Sequence, residues 1–285
     1  MLKGMYEPCF SIETLSAPTL GADVPPRPCE GQQVVAVHGF AATPEVTWQT
    51  TGWVRQLHRA GADVHLVTLP YHRLTIAQHA DADEVEEREQ TRQVDVSWRQ
   101  GGLITSLADA LHQALSPLKS PVHLLGYSLG ARICWQAALS YPKLVQTLTL
   151  GGMPLDSHLT GLQTALAQGN RSGQPLPAGL QAVLAASPIP HAHLASFTAQ
   201  PVEPFSAQDL PACPTILFAG TQDDLTTDLP ALAATLPHPA SAYLELAGRD
   251  HINSLTSGQA RRAAADFIAR HAVSPAGREP SHTVA

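Results

Sequence analysis

Apolar positions in this chain follow two rhythms that take turns along its length. Short runs rich in Val, Leu and Ala, at residues 32–37, 63–69, 122–125, 144–150, 215–219 and 242–247, have the length and content of buried strands. Between them, apolar residues recur at helical spacing over 47–60, 102–115, 129–140 and 258–271. Strand, helix, strand in repeated order predicts an α/β protein with a mostly parallel sheet and helices on both faces, because unbroken apolar strands must be covered on both sides. No repeat of about 20–50 residues is visible, which excludes solenoids and propellers.

Two segments break the alternation. Residues 154–210 are rich in Ala, Leu, Gln and Pro, with helical patterns near 159–168 and 180–186; this is too long for a plain loop and too short for a separate domain, and predicts a helical cap over the sheet. Residues 81–89 carry six acidic side chains against one Arg and read as a solvated helix face or loop. The organisation expected is an N-terminal segment 1–31, a core formed by 32–153 and 211–273, the cap 154–210 inserted between them, and a polar, disordered tail 274–285.

At 285 residues and 44% hydrophobic content the chain can bury a full core, which excludes global disorder. The net charge is −7 and no Lys/Arg cluster occurs in the sequence, so neither a nucleic acid nor an anionic membrane is expected as partner. No stretch reaches 18 apolar residues and residues 1–8 lack the apolar run of a signal peptide, so the expectation is a soluble, cytoplasmic protein acting on a small molecule, with its oligomeric state left open. Cysteines at 9, 29, 134 and 213 form no CxxC motif and read as free thiols, Cys9 and Cys29 being the one pair near enough in sequence to consider.

The candidate chemistry begins at Gly126-Tyr127-Ser128-Leu129-Gly130, a G-x-S-x-G sequence between a predicted strand and a predicted helix. Roughly 0.1 such matches would arise by accident in a chain of this length at average composition. A serine on so tight a turn stands exposed at the C-terminal edge of the sheet, with the following N–H groups pointing into the same space. It needs a base. Among fourteen histidines, His251 lies in the loop after the last predicted strand and can reach that edge. The strand 215–219 ends in Gly220-Thr221-Gln222-Asp223-Asp224, which supplies an orienting carboxylate, Asp223 or its neighbour Asp224. The chain order Ser128, Asp223, His251 is that of one class of serine triad. For the oxyanion hole, the backbone N–H of Leu129 and of Phe40, in the turn after the first parallel strand, are the candidate donors. His38 reads as a structural hydrogen-bonding residue. His191 and His193 have no carboxylate or Cys partner at metal-site spacing, so no metal and no cofactor are expected.

From about residue 32 to 271 the chain resembles the α/β-hydrolase superfamily, on His38-Gly39-Phe40, Gly126-Tyr127-Ser128-Leu129-Gly130, Tyr141-Pro142, Gly220-Thr221-Gln222-Asp223 and Asp250-His251. The resemblance implies a twisted eight-stranded, mostly parallel sheet, a cap after the strand ending at Leu150, no cofactor, and Asp223 rather than Asp224 as the acid. One turn departs from the family pattern: Pro70-Tyr71-His72-Arg73 stands where a Gly-His-Gly turn is common. The function expected is hydrolysis of a carboxylic ester or related acyl bond of a small to medium apolar substrate through an acyl-enzyme on Ser128, with Tyr127 and Arg132 as candidate substrate-binding residues. Two alternatives remain open. The elbow through Arg132 is also similar to that of the menaquinone-pathway lyase that eliminates pyruvate, where the arginine would hold substrate carboxylates, although 154–210 supplies only Arg171 as a further cation. The other is a ligand-binding homologue without catalysis.

Overall fold

The structure, a computed structural model, describes residues 9–21, 24–73, 91–98, 102–118, 120–156, 159, 162, 166 and 176–273. The acidic run 81–89, the tail 274–285, Arg171 and most of the helical pattern near 159–168 lie outside the described residues.

Eight strands form one sheet: β1 (Cys9–Leu15), β2 (Gln33–Val37), β3 (Asp63–Thr68), β4 (Arg92–Asp95), β5 (Val122–Tyr127), β6 (Val145–Gly151), β7 (Thr215–Gly220) and β8 (Ala242–Leu246). Their order across the sheet is β4-β1-β3-β2-β5-β6-β7-β8. From β3 to β8 every pairing is parallel, and only β1 runs against its two neighbours. The fold is therefore the mostly parallel α/β arrangement expected. The sequence patterns did not reveal β1 or β4. β4, Arg-Gln-Val-Asp, is a four-residue polar edge strand, the kind that resists further pairing and carries almost no apolar signal.

The two faces of the sheet follow from the two-residue period of its strands. On β2, Val34 and Ala36 pack toward α1 (Trp53–Ala60) and α7 (Gly258–Arg270), in a core with Trp53, Leu57, Ala264 and Ile268. Val35 and Val37 face α2 (Leu103–Leu115) and α3 (Leu129–Ser140), in a second core with Leu107, Leu111 and Ile133. The helix expected over 47–60 is divided in two. A π-helical turn covers Glu45–Gln49, and α1 starts only after Gly52, whose φ of 83° interrupts the helix.

Between β6 and β7, the described residues form α4 (Ala178–Ala186) and α5 (His191–Phe197), each opening directly after a proline, Pro177 and Pro190. His191 and His193 lie on α5, where residues two apart diverge, and no metal-binding cluster occurs among the described residues. The stretch returning to β7 is clamped to the core: Glu203 accepts from the backbone N–H groups of Ile104 and Thr105 at the start of α2, and Trp135 Nε1 donates to the Asp209 carbonyl. A short helix, α6 (Leu229–Ala233), which the pattern did not suggest, links β7 to β8. All four cysteines are free. Among the described residues no helix is long and apolar enough to cross a membrane.

Candidate active site

Five loops leave the C-terminal ends of parallel strands on one edge of the sheet, and they carry His38 to Ala41, Tyr71 and His72, Ser128, Asp223, and His251. Ser128 sits between β5 and α3 at φ 53°, ψ −117°, a conformation that costs an L-residue about 1–3 kcal/mol. The crowding around it explains the flanking glycine at 130: a Cβ there would lie 2.1 Å from the Val37 carbonyl oxygen. The turn is fixed by Ser128 N–H donating to the Gly151 carbonyl (2.8 Å) and by its own carbonyl accepting from Ala131 and Arg132.

The structure brings the three candidate triad residues into one hydrogen-bonded chain. Ser128 Oγ lies 3.0 Å from His251 Nε2, and His251 Nδ1 lies 2.8 Å from Asp223 Oδ2. The second carboxylate oxygen of Asp223 accepts from Leu225 N–H. Asp223 and His251 are both buried, at 5% and 3% exposure, whereas Ser128 is partly open. The His251 loop can approach the end of β7 because residue 220 is glycine, where a Cβ would stand 1.9 Å from the Arg249 carbonyl oxygen. With a carboxylate holding Nδ1–H, Nε2 is the nitrogen that faces the serine with its lone pair, so it can take the hydroxyl proton.

Asp224 points elsewhere. Its carboxylate accepts from Gly179 N–H (3.0 Å) in the first turn of α4 and ties that helix to the loop carrying Asp223. Leu129 opens α3, so its N–H has no acceptor within the helix. Gly39 runs alongside the serine, its hypothetical Cβ 3.1 Å from Ser128 Cβ, which brings the following Phe40 to the same place.

Tyr127 is buried and lines the cavity above Ser128; its hydroxyl donates to the His251 carbonyl at 2.5 Å, and its ring lies 5.4 Å from the imidazole. Burial pushes its phenol pKa well above the ordinary value, so it is a donor throughout the working pH range. Arg132, 5% exposed, donates from Nη2 to the Glu203 carbonyl (2.8 Å) and stacks over Phe205, while its Nε has no partner. Burial pulls its pKa down, and the nearby Glu203 and Asp156 oppose that shift.

Sequence reasoning overlooked the role of His72. His38 and His72 form a reciprocal staple between two rim loops. Leu69 N–H donates to His38 Nε2 and Ala41 N–H donates to His72 Nε2, both at 3.1 Å. Each ring passes its Nδ1 proton to a carbonyl, Gly39 for His38 and Pro70 for His72. Burial above all holds both rings neutral, with pKa values of about 4 and about 3. Among the described residues, the non-glycine positions with positive φ are Ala41, Tyr71 and Ser128, all on this rim. Tyr71, at φ 63°, occupies the turn that departs from the family's glycine-containing pattern. Phe197 of α5 caps the staple, its ring 4.7 Å from His72 and 6.0 Å from Phe40.

Above Ser128 an apolar cavity divides into two lobes that share Phe40, Ser128, Val183 and His251. The lobe on the α3 side is walled by Leu129, Leu180, Val202 and Leu225, with Arg132 and Asp156 as its polar groups. The lobe on the histidine-loop side is walled by Val46, Thr47, Ala186, Ile252 and Leu255.

The model of the α/β hydrolase fold matches residues 33–172, the part of the chain that carries β2, the elbow and β6. The chain has the α/β hydrolase fold. No curated protein matches it by sequence. Solved structures agree on the fold: an esterase from Thermogutta terrifontis superposes with a TM-score of 0.63 at 17% identity, covering 93% of this chain and 94% of that one. A hydrolase from Pseudomonas aeruginosa PA01 gives 0.62 at 17% identity over 91% and 94%, and a monoacylglycerol lipase from Paleococcus ferrophilus 0.58 at 14% over 92% and 98%.

Proposed function

We propose that this α/β-hydrolase is a serine hydrolase that cleaves a carboxylic ester or related acyl bond through an acyl-enzyme on Ser128. The observation that carries the reading is the Ser128–His251–Asp223 hydrogen-bonded chain, set where two apolar lobes meet. His251 Nε2 takes the Ser128 proton as Oγ attacks the acyl carbon, and Asp223 holds the ring and stabilises the imidazolium. The N–H groups of Phe40 and Leu129 donate to the developing oxyanion. The tetrahedral species collapses as His251 gives the proton to the leaving group, and a water repeats the sequence to release the acid. Residues 154–210 act as the cap, with Leu180 and Val183 of α4 forming an apolar roof that suits a small to medium apolar acyl group.

The lyase alternative asks Arg132 for a free cation. Its guanidinium is committed to the Glu203 carbonyl and the Phe205 ring, and Asp156 lines the same lobe, which weighs against a polyanionic substrate there. The deciding experiment is labelling with a fluorophosphonate probe together with turnover of a short-chain aryl ester. Stoichiometric labelling at Ser128 is expected, and Ser128→Ala should abolish it and cut kcat by about 10⁴-fold or more. Labelling that survives the substitution would overturn the assignment.

A further inference from the structure

Four arginines that are scattered in the sequence meet on one surface: Arg55 on α1, Arg249 in the His251 loop, and Arg261 and Arg262 in the first two turns of α7. A Cβ at Gly52 would stand 3.1 Å from Arg55 Nη2 and 3.9 Å from Arg261 Cζ; one at Gly258 would stand 3.2 Å from Arg262 Nη1 and 3.8 Å from Arg261 Nη2. The guanidinium groups of Arg55, Arg261 and Arg262 are thus near neighbours, Arg249 is close enough to act electrostatically on Arg261, and among the described residues none of the four is in an ion pair. Asp250, the adjacent carboxylate, is occupied by the N–H groups of Ile252 and Asn253 and by the Asn253 side chain. The cluster is held in place from below. Arg261 donates to the Thr51 carbonyl, and Arg249 to the Asn253 carbonyl and Thr256 Oγ1, while Arg55 and Arg262 are exposed. Like charges packed together repel, and Arg261 stands in the first turn of α7, where the helix dipole already favours anions. A chain of net charge −7 concentrates cations here at an electrostatic cost that an anionic ligand would relieve.

The position suggests which ligand. The two segments that bear the arginines also wall the histidine-loop lobe, through Thr47 on one side and Ile252 and Leu255 on the other. They are joined by Trp53 Nε1 donating to the Leu255 carbonyl (2.9 Å) and by Arg261 Nη1 donating to the Thr51 carbonyl (2.6 Å). Val46 and Ile252, at 44% and 38% exposure, place that lobe at the surface. His251 must deliver its proton to the leaving atom, and the histidine-loop lobe runs on from His251 along its own loop to Ile252 and Leu255, so a leaving group that takes that proton has a path out there.

We propose that these arginines bind phosphate groups on the leaving group, so that the substrate is an acyl ester or thioester of a phosphorylated alcohol or thiol. This rests on the serine-hydrolase reading and deepens it. The acyl carbon bonds to Ser128 Oγ, the leaving oxygen or sulfur takes the proton from His251, and water then frees the acid. Planar guanidinium forks match phosphate oxygens two at a time, and four of them fit a polyvalent group better than a lone carboxylate.

The test compares two thioesters with the same acyl chain, an acyl-coenzyme A and the corresponding acyl-pantetheine, which lacks the phosphates. In the wild-type enzyme at low salt, kcat/KM is expected to favour the coenzyme A thioester by about tenfold or more. Added salt should shrink that ratio, and Arg55→Ser with Arg262→Ser, both exposed side chains, should bring it to about one. A wild-type ratio near one, or a ratio that survives the double substitution, overturns the inference. Turnover of the aryl ester but of neither thioester overturns it while leaving the serine-hydrolase reading in place. If no ester is turned over, that reading fails instead, and the arginine surface is judged by calorimetry on Ser128→Ala protein: binding of coenzyme A but not pantetheine supports it, and no binding of either overturns it.

Discussion

Three buried histidines stand on the same sheet edge, and they do opposite things. His251 spends its two nitrogens on side chains, Asp223 and Ser128. His38 and His72 spend theirs on the backbone, with each Nε2 lone pair already occupied by an amide N–H. An imidazole in the second arrangement cannot take a proton from a hydroxyl, since the accepting nitrogen faces a donor and the ring is kept neutral by burial. The first arrangement leaves a nitrogen aimed at a hydroxyl. Burial is common to all three, so what separates a base from a structural pin is the identity of the two partners.

The sharpest way to break this comparison is at the carboxylate. Asp223→Asn should lower kcat by about 10³–10⁴-fold, because the amide can present the wrong tautomer of His251 to the serine. Asp224→Asn weakens only the tether to Gly179 and should cost less than about tenfold, seen mainly in KM for bulky acyl groups. Steady-state kinetics on an aryl ester series would measure both, and equal losses would mean that the acid has been misassigned.

A smaller effect is expected at the staple. His72→Phe keeps the contact with Phe197 but strands the Ala41 N–H, at a cost of about 1–3 kcal/mol in stability. By loosening the loop that carries Phe40, it should lower kcat by about 10–100-fold with little change in KM. His72→Gln, which can still accept through its side-chain carbonyl, should recover part of the kcat. Equal losses in the two variants would show that the staple does not position the loop through that hydrogen bond.

The smallest effect is one of pH. The pKa values of His38, His65, His72 and His123 are lowered by burial to about 4, 4, 3 and 4. Between about pH 6.5 and 4 the unfolded chain binds protons at these positions and the native protein does not, so stability is present above 6.5 and is lost as pH falls. Each histidine should contribute a slope of about 1.4 kcal/mol per pH unit through that window. Urea unfolding from pH 7 to 4.5 should therefore give a shallower slope for His72→Phe than for wild type by about that amount, and identical slopes would contradict the burial of a neutral ring.

Much of this was legible beforehand, for identifiable reasons. The central strands are unbroken apolar runs because both faces are covered, and the elbow could be read because its neighbours must be small: a Cβ at Gly126 would lie 2.6 Å from Ala131 Cα. Ser128, Asp223 and His251 each lie in the loop that follows a parallel strand, so their meeting follows from parallel topology once the strands are placed. β1 and β4 escaped notice because a strand at or near the edge of a sheet needs few apolar residues. Tyr127 and Arg132, candidates for touching substrate, line the cavity and also hold the His251 carbonyl and the Glu203 carbonyl, partners 124 and 71 residues away.

The amino-acid sequence by itself determined the alternation of strands and helices, the strained serine turn and the order of the chemistry along the chain, since each depends on residues that are neighbours. Only the tertiary structure decided which histidine pairs with a serine and a carboxylate and which two are pinned to the backbone, because all carry the same ring and differ only in partners brought from other loops. It decided the arginine surface too. No run of basic residues marks it in a chain of net charge −7, yet packing α1 against α7 and the His251 loop brings four guanidinium groups to one surface, and electrostatic energy depends on distance in space rather than on separation along the chain.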